Sequence, residues 1–154
     1  KRTVRKLSGG MKRKLMVCRA LLTDPEILLL DEPTAGMDAL SRRQMWNLLR
    51  KLNEKNLTIL LTTHYMEEAQ SLCNRVALMD HGKLEEVSTP AAMIESLGAY
   101  TIDEMTEEGT KNYYFHTRQD AIRYLEGLTG QASLRETTLE DVFVERAGRN
   151  LTSK

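Results

Sequence analysis

Apolar residues in the first half of the chain change their spacing several times, and each spacing predicts a different element. From residue 11 to 22 and from 45 to 52 they recur every three or four positions, which is typical of helices that bury one face. The runs EILLLDEP from residue 26 and LTILLTTH from residue 57 are typical of buried parallel strands. The alternation predicts a parallel sheet with a right-handed crossover. The two helical stripes consist of Met11, Leu15, Cys18 and Leu22, and of Met45, Leu48, Leu49 and Leu52.

The second half of the chain consists of shorter segments. We predict a helix over residues 66–73, a strand RVALMD, a tight turn DHGK into LEEV, and a helix from Pro90 that ends at Gly98. From about Ala99 the pattern predicts a small α+β appendage. Its parts are a hairpin around Gly109-Thr110, a helix near 119–128, a strand ASLRET and a final helix LEDVFVERAG. The predicted fold class is therefore α/β, with one domain over 1–98 and an appendage over 99–154.

Composition narrows the class of protein. The chain has 154 residues, 41% of them hydrophobic, which is enough for one domain with a core. Basic and acidic residues number 22 each, and this balance argues against a protein that mainly binds a polyanion. Two interpretations stay open for a basic N-terminal cluster: an anion-binding patch or a solvated helix face. The second is favoured because no aromatic residues interleave the charges. The cluster consists of Lys1, Arg2, Arg5, Lys6, Lys12, Arg13 and Lys14.

Cysteine usage and hydropathy add two expectations. Cys18 and Cys73 lie among apolar residues of predicted helices without metal-binding spacing, so we expect reduced thiols in the core rather than a disulfide. No apolar run approaches the roughly 18 residues that a membrane span requires.

Three motifs are candidates for chemistry. Asp31 and Glu32 follow a predicted parallel strand, at the edge where ligands of α/β sheets bind, and could position Mg²⁺ and an attacking water. Ser8 and the following glycines begin a helix and offer a hydroxyl and open N–H groups to a phosphate. His64 follows the second strand and could bond a phosphate oxygen. Each motif alone also fits a structural role, and the combination in this order favours a nucleotide site.

The segments LSGGM, ILLLDEPTAGMD and LLTTHYMEEA together resemble the ATP-binding subunits of ABC transporters, over residues 1 to about 98. The resemblance implies a P-loop NTPase-type parallel sheet, with ATP and Mg²⁺ as cofactors. It makes Ile27–Glu32 the Walker B strand and Ala35–Asp38 the D-loop. The implied signature loop consists of Leu7, Ser8, Gly9, Gly10 and Met11.

The same resemblance implies a role for each site residue. Asp31 would hold Mg²⁺ through water, Glu32 would be the general base, and His64 would be the switch histidine. Asp38 would help to couple two active sites across a dimer. Met11 replaces the usual glutamine, which removes a side-chain amide and leaves the hydroxyl and glycine amides in place.

The segments LSGGMKRKL and TTLEDVFVERAGRNL resemble the drug- and polysaccharide-exporter branch of this family. That branch implies a second ATP-binding subunit, identical or different, an integral membrane permease, and a location at the cytoplasmic face of the cell membrane, with no nucleic acid. Two alternatives stay open. One is a soluble ABC-type ATPase acting on nucleic acid or ribosomes; the other is a non-catalytic dimerisation or regulatory module formed by the appendage.

No G-x-x-x-x-G-K-[ST] sequence occurs in the chain, and the family's glutamine loop is also absent, since Gln44 and Gln70 fall in predicted helices. The chain starts on a basic segment without Met. We therefore expect the C-terminal half of an ABC ATP-binding domain, which alone binds ATP weakly or not at all and hydrolyses none. The missing P-loop strand would leave two apolar strand edges unpaired, so we expect the chain to associate or repack.

Overall fold

The computed structural model describes residues 3–152, and of residues 147–152 the backbone only. Lys1 and Arg2 of the basic cluster, and the side chains at the end of the exporter-like C-terminal segment, therefore lie outside the described residues. The chain forms two compact units that divide after Glu68. The predicted domain boundary at residue 98 stays a prediction. The helix Pro90–Leu97, which precedes it, contacts the last helix, Leu139–Thr152, within the second unit.

The first unit contains the predicted strand–helix–strand alternation, and helix α3 continues from it into the second unit. A side-chain cap begins each of its first two helices: Ser8 accepts from the backbone of Met11, and Asp38 from that of Ser41. Short 3-10 turns at Val4–Lys6 and Leu21–Thr23 flank α1. The elements are α1 Gly9–Ala20, β1 Ile27–Asp31, α2 Ala39–Asn53, β2 Thr58–Thr62 and α3 Met66–Leu72.

Strands β1 and β2 pair in parallel, with Leu29 opposite Leu60, which confirms the α/β fold class. One face of this sheet is covered: Leu28 is buried, and α2, which contacts β2, buries Met45 and Leu49. The apolar stripe of α2 therefore supplies the core of the first unit, as its helical spacing predicts.

The opposite face of the same sheet is exposed. Leu29 is 69% and Leu60 64% exposed, although parallel sheets are normally covered on both faces. Neither strand pairs on its other side within the described residues. The unpaired edges of β1 and β2 and the exposed apolar face are two surfaces of this unit that favour association.

The prediction that the stripe of α1 faces the core is wrong. Met11 and Leu15 are exposed, Leu22 is 83% exposed, and Val17 is the buried residue of this helix. Cys18 is also exposed, so it is not a core thiol; neither it nor Cys73 forms a disulfide within the described part of the chain. Helical spacing identifies which side chains share a face, and it does not say whether another element covers that face.

The described part of the second unit contains a two-stranded sheet and a three-stranded sheet. β3 and β4 pair antiparallel, and β5 lies between β6 and β7, also antiparallel to both. The second unit contains β3 Val76–Asp80, β4 Lys83–Ser88, α4 Pro90–Leu97, β5 Tyr100–Thr106, β6 Gly109–Phe115, α5 Arg118–Glu126, β7 Ala132–Glu136 and α6 Leu139–Thr152. The elements after residue 98 have the α+β character predicted for the appendage. No helix in the described range 3–152 is long and apolar enough to cross a membrane.

Two glycines define turns in this unit. Gly98 ends α4 as predicted, with φ +139°, and a Cβ there would lie 2.9 Å from the backbone nitrogen of Phe115. The β5–β6 turn lies at Glu107–Glu108, so the prediction of a turn at Gly109-Thr110 is shifted by two residues. Gly109 instead begins β6, and its φ of +124° explains why a glycine is found there.

A charged network ties β5, β7 and α6 together. The guanidinium of Arg135 donates to both oxygens of Asp103, at 2.7 and 3.0 Å, and to both oxygens of Asp141, at 2.7 and 2.8 Å. Burial alone would raise the pKa of Asp141, but hydrogen bonds from Arg135 and Thr138 outweigh it and lower that pKa below its ordinary value. The network therefore stabilises this unit only while Asp141 is ionised.

We expect Asp141→Asn to lower the free energy of unfolding by about 2 kcal/mol at neutral pH. This loss is smaller than the ~3–5 kcal/mol that breaking a fully buried ion pair costs, because the Arg135 side chain is 36% exposed. Because the pKa of Asp141 is lower in the folded state, its ionised carboxylate stabilises the fold at pH values above its ordinary pKa of about 4. This stabilisation is lost as the pH falls through the folded-state pKa. The variant should therefore show a flatter loss of stability below about pH 4, measured by urea unfolding. Glu140→Gln, at an exposed neighbour, is the control and should keep the wild-type profile.

We expect the chain to self-associate through the exposed sheet face and edges, and Leu60→Lys to shift it towards monomer. Sedimentation velocity over a range of concentrations measures this. Thr58→Lys is the matched control, because it adds the same charge on the same exposed face without removing an apolar side chain. A monodisperse monomer whose β1 and β2 edges are protected from hydrogen exchange would contradict the expectation.

Candidate functional site

The carboxyl ends of β1 and β2 meet at one edge of the sheet. The parallel register puts Asp31 opposite Thr62, whose hydroxyl donates to the Asp31 carboxylate. The backbone N–H of Glu32 donates to the Thr62 carbonyl at 3.0 Å, which extends the pairing one residue beyond the strand. Both predicted carboxylates are therefore held at the edge where ligands of α/β sheets bind.

Glu32 and His64 are in direct contact. His64 Nδ1 lies 2.8 Å from Glu32 Oε1, and the imidazole lies against the ring of Tyr65 with 4.1 Å between centroids. Glu32 has φ +47°, in the left-handed region that is unusual for a residue with a Cβ. Its Oε2 is buried and has no hydrogen-bond partner within the described residues. One carboxylate oxygen is thus occupied by the histidine, and the other is a buried acceptor without a partner among the described residues.

A compact turn leads from these carboxylates to α2. The N–H of Ala35 donates to Glu32 O at 3.2 Å, and that of Met37 donates to Thr34 O at 3.1 Å. At the end of the turn Asp38 Oδ1 accepts from Ser41 N at 2.9 Å, and hydrogen bonding to Ser41 lowers the pKa of Asp38. Asp38 is therefore an ionised helix cap at neutral pH, on an exposed surface.

The predicted signature loop occupies the start of α1. Ser8 is exposed and its Oγ accepts from Met11 N at 3.3 Å, while Leu7 is partly buried and Met11 is exposed. A Cβ built on Gly9 would meet nothing within 4 Å, whereas one on Gly10 would lie 3.2 Å from Cβ and Oγ of Ser41. Gly9 thus leaves open space beside the first N–H groups of a 12-residue helix, which is the setting in which phosphates bind.

The predicted residues therefore form two groups within the first unit. The structure brings Asp31, Glu32 and His64 together at the sheet edge. It brings Gly10 of the predicted signature loop alongside Ser41, near Asp38 of the predicted D-loop. Among the described residues no hydrogen bond joins the predicted signature loop to Glu32 or His64, so the two groups present separate surfaces.

The donor set for a metal is small. Within residues 3–152 no three His, Cys, Asp or Glu side chains are grouped so that they could hold a metal ion. Mg²⁺ keeps several waters and is commonly bound through one or two carboxylates together with substrate phosphates. Asp31, an exposed carboxylate at a strand end, fits that role, and it does not by itself form a metal site.

Three further residues belong to the site and were not predicted from the sequence. Thr62 fixes Asp31, Tyr65 stacks on His64, and buried Glu68 accepts hydrogen bonds from Thr34 and Trp46. Aligning the two predicted strands end to end would have found Thr62, because Asp31 and Thr62 occupy equivalent last positions. Glu68 gives no such signal, since an acidic residue in the first turn of a helix usually lies in solvent.

The chain is similar to known proteins in both sequence and structure. The family model described as "ABC transporter" matches residues 1–35. The chain is 38% identical over 169 aligned residues to the Nod factor export ATP-binding protein I of Cupriavidus metallidurans, an alignment that covers 96% of this chain and 56% of that protein. The protein of the same name from Burkholderia lata is 39% identical with the same coverage. The chain thus spans about half the length of the curated relatives it matches.

Solved structures similar to this chain are ATP-binding cassettes. The cassette MJ0796, in a dimeric post-hydrolysis state bound to ADP and Pi, matches with a TM-score of 0.50 and 31% identity, over 55% of this chain and 37% of that one. The cassette MJ1267 of an ABC transporter matches with a TM-score of 0.54 and 26% identity, over 57% and 35%. The fold is that of part of an ATP-binding cassette of the α/β class. Over almost its whole length the chain is similar to ATP-binding proteins of the ABC transporter family.

We expect Gly9→Ala and Gly10→Ala to differ in stability although they are neighbours at one helix start. Alanine at Gly9 enters open space and should leave the free energy of unfolding unchanged or raise it by about 0.5 kcal/mol through helix propensity. Alanine at Gly10 must displace the Cβ of Ser41, which α2 holds, and should be about 1 kcal/mol less stable than Gly9→Ala. Urea unfolding measures both. Equal stabilities would contradict the close approach of α1 and α2.

Proposed function

We propose that this chain is part of the ATP-binding component of an ABC-type membrane exporter, and that Asp31, Glu32 and His64 are part of its hydrolytic site. The observation that carries the proposal is the meeting of these three side chains at the carboxyl edge of a parallel sheet. The names of the relatives, Nod factor export ATP-binding proteins, support an export role. The ADP and Pi bound to the structural neighbour MJ0796 support ATP hydrolysis.

In this proposal Glu32 is the general base. Its second oxygen is a buried acceptor with no partner among the described residues, and it would take a proton from the attacking water in the assembled site while the first oxygen stays bonded to His64. Asp31, oriented by the Thr62 hydroxyl, would hold Mg²⁺ through water. The ion supplies charge neutralisation at the phosphates when it is bound.

His64 would orient Glu32 and contact the terminal phosphate. In a neutral ring that donates its Nδ1–H to Glu32, Nε2 carries only a lone pair. A phosphate oxygen, which also carries lone pairs, is repelled by that nitrogen. A doubly protonated ring donates to both, so it can bridge the base and the phosphate. This assigns His64 two hydrogen bonds in the ATP-bound state, one of which is already present in this chain.

The signature loop would act on the nucleotide of a partner. The loop and the Glu32 pair form separate surfaces in this chain, and the structural neighbour MJ0796 is a dimer, which supports a site shared between two subunits. The chain contains no P-loop, so its own site lacks the groups that bind the β- and γ-phosphates. We propose a second ATP-binding subunit and a membrane permease as partners, at the cytoplasmic face of the membrane.

We expect the chain alone to bind ATP·Mg²⁺ weakly or not at all and to show no turnover. Mixed with a full-length P-loop-bearing relative whose own signature serine is replaced by alanine, it should restore ATP binding measured by calorimetry, and ATP turnover. Ser8→Ala should weaken that binding about 10- to 100-fold, because it removes a hydrogen bond from the Ser8 hydroxyl to a charged phosphate. Glu32→Gln in this chain is the matched control and should leave the mixture unchanged, because the relative supplies its own base.

Testing the role of Glu32 requires a cassette that also contains the P-loop-bearing N-terminal part. In a chimera that joins the N-terminal part of the Cupriavidus relative to this chain, Glu32→Gln should lower turnover by about 10²–10⁴-fold, with ATP binding retained. Turnover by this chain alone that disappears with Glu32→Gln would overturn the proposal that its hydrolytic site needs a P-loop from elsewhere and that its signature loop acts on a partner's nucleotide. Full turnover of the chimera with Glu32→Gln would overturn the assignment of the base.

A further inference from the structure

The first unit contains one fully buried carboxylate that the proposed mechanism does not use. Glu68 is 0% exposed and lies in the first turn of α3, four residues after His64. Its Oε1 accepts from Thr34 Oγ1 at 2.8 Å and from Trp46 Nε1 at 3.0 Å, and its Oε2 has no hydrogen-bond partner among the described residues. A buried carboxylate with two neutral donors costs several kcal/mol relative to an apolar side chain of similar size. Packing therefore does not explain it.

The two donors come from different parts of the unit. Thr34 is 1% exposed and lies in the turn between Glu32 and Asp38, where its carbonyl also accepts from Met37 N at 3.1 Å. Trp46 lies in α2, the helix that this turn leads into. One oxygen of Glu68 thus connects the turn and α2 to α3. The Arg42 guanidinium, 5.7 Å from the Trp46 ring centroid, is the positive charge that faces the same indole.

Glu68 is also connected to His64 by a short and well-bonded path. Tyr65 N donates to Thr63 Oγ1 at 3.0 Å, Glu68 N donates to Tyr65 O at 3.0 Å, and the Tyr65 ring stacks on His64. The segment from His64 to Glu68 is thereby constrained to move together. The turn from Glu32 to Met37 is closed by its own hydrogen bonds, and the Thr34 side chain links it to Glu68.

We propose that Glu68 is a positioning residue, whose Oε1 holds the 33–38 turn on α3 and in this way keeps Glu32 and His64 in contact. This role rests on the proposed function only in treating that pair as catalytic. One rigid segment, from Glu32 to Met37, carries Glu32, and the other, from His64 to Glu68, carries His64. The Thr34–Glu68 hydrogen bond sets the distance between these two segments. The Trp46 bond to the same oxygen orients the carboxylate from α2 and does not reach the 33–38 turn.

The two hydrogen bonds to Oε1 can be removed one at a time. Thr34→Val is close to isosteric and removes the link to the turn, Trp46→Phe removes the link to α2, and Thr34→Ser keeps the hydroxyl. The hydrogen-exchange rate of peptides covering 33–38, normalised to that of peptides from α2, measures how readily the turn opens. The ring signals of His64 in NMR spectra report the catalytic pair, with exposed His81 and His116 as internal references.

We expect Thr34→Val to speed exchange of the 33–38 turn about five- to tenfold, the equivalent of one hydrogen bond, and to shift the His64 signals while those of His81 and His116 stay in place. Thr34→Ser should match the wild type. Trp46→Phe should leave normalised exchange of the turn and the His64 signals unchanged, even if it lowers overall stability.

Unchanged His64 signals in Thr34→Val would overturn the proposal, and so would an equal response to Trp46→Phe, since either result reduces Glu68 to a stabilising contact. No nucleotide is present in these measurements. A negative result therefore leaves the ATP-binding proposal intact, and a failure of the ATP experiments leaves this test unaffected.

Discussion

The parallel register of β1 and β2 is the constraint on which the site depends. With Leu29 opposite Leu60, both strands end at the same level, so Asp31 meets Thr62 and the residues that follow, Glu32 and His64, can touch. A shift of one residue would turn Leu28 from the covered face to the exposed one, and the core of the first unit would be lost. Hydrophobic burial on one face therefore fixes the geometry of the polar edge.

Much of this fold follows from hydrophobic spacing and turn chemistry. The caps Ser8, Asp38 and Thr89 begin helices as side-chain chemistry predicts, and Gly98 ends one at a backbone angle that other residues avoid. The site could be predicted as far as its residue types, because Asp31, Glu32 and His64 follow strands. The contact between Glu32 and His64 could not, since it depends on side-chain orientation across two loops.

Buried Glu68 shows a different limit of sequence reasoning. Its neighbour Glu67 is exposed and has the same side chain, yet Glu68 is enclosed by Thr34 and Trp46. Helix propensity and charge are equal at the two positions, and only the direction of each side chain on α3 separates them. Such a residue is recognised from burial and hydrogen bonding, and its unfavourable desolvation is what makes its position informative.

The exposed stripe of α1 and the exposed face of the β1–β2 sheet have one physical explanation. Met11 and Leu15 on the helix, and Leu29 and Leu60 on the sheet, have the spacing of residues that bury one face of an element, but all four are exposed in this structure. The relatives are about twice as long as the matched region, so they contain additional chain that could supply a cover. The pattern of apolar residues thus specifies which faces require burial, while the register of the two strands sets which polar residues meet at the edge of the sheet.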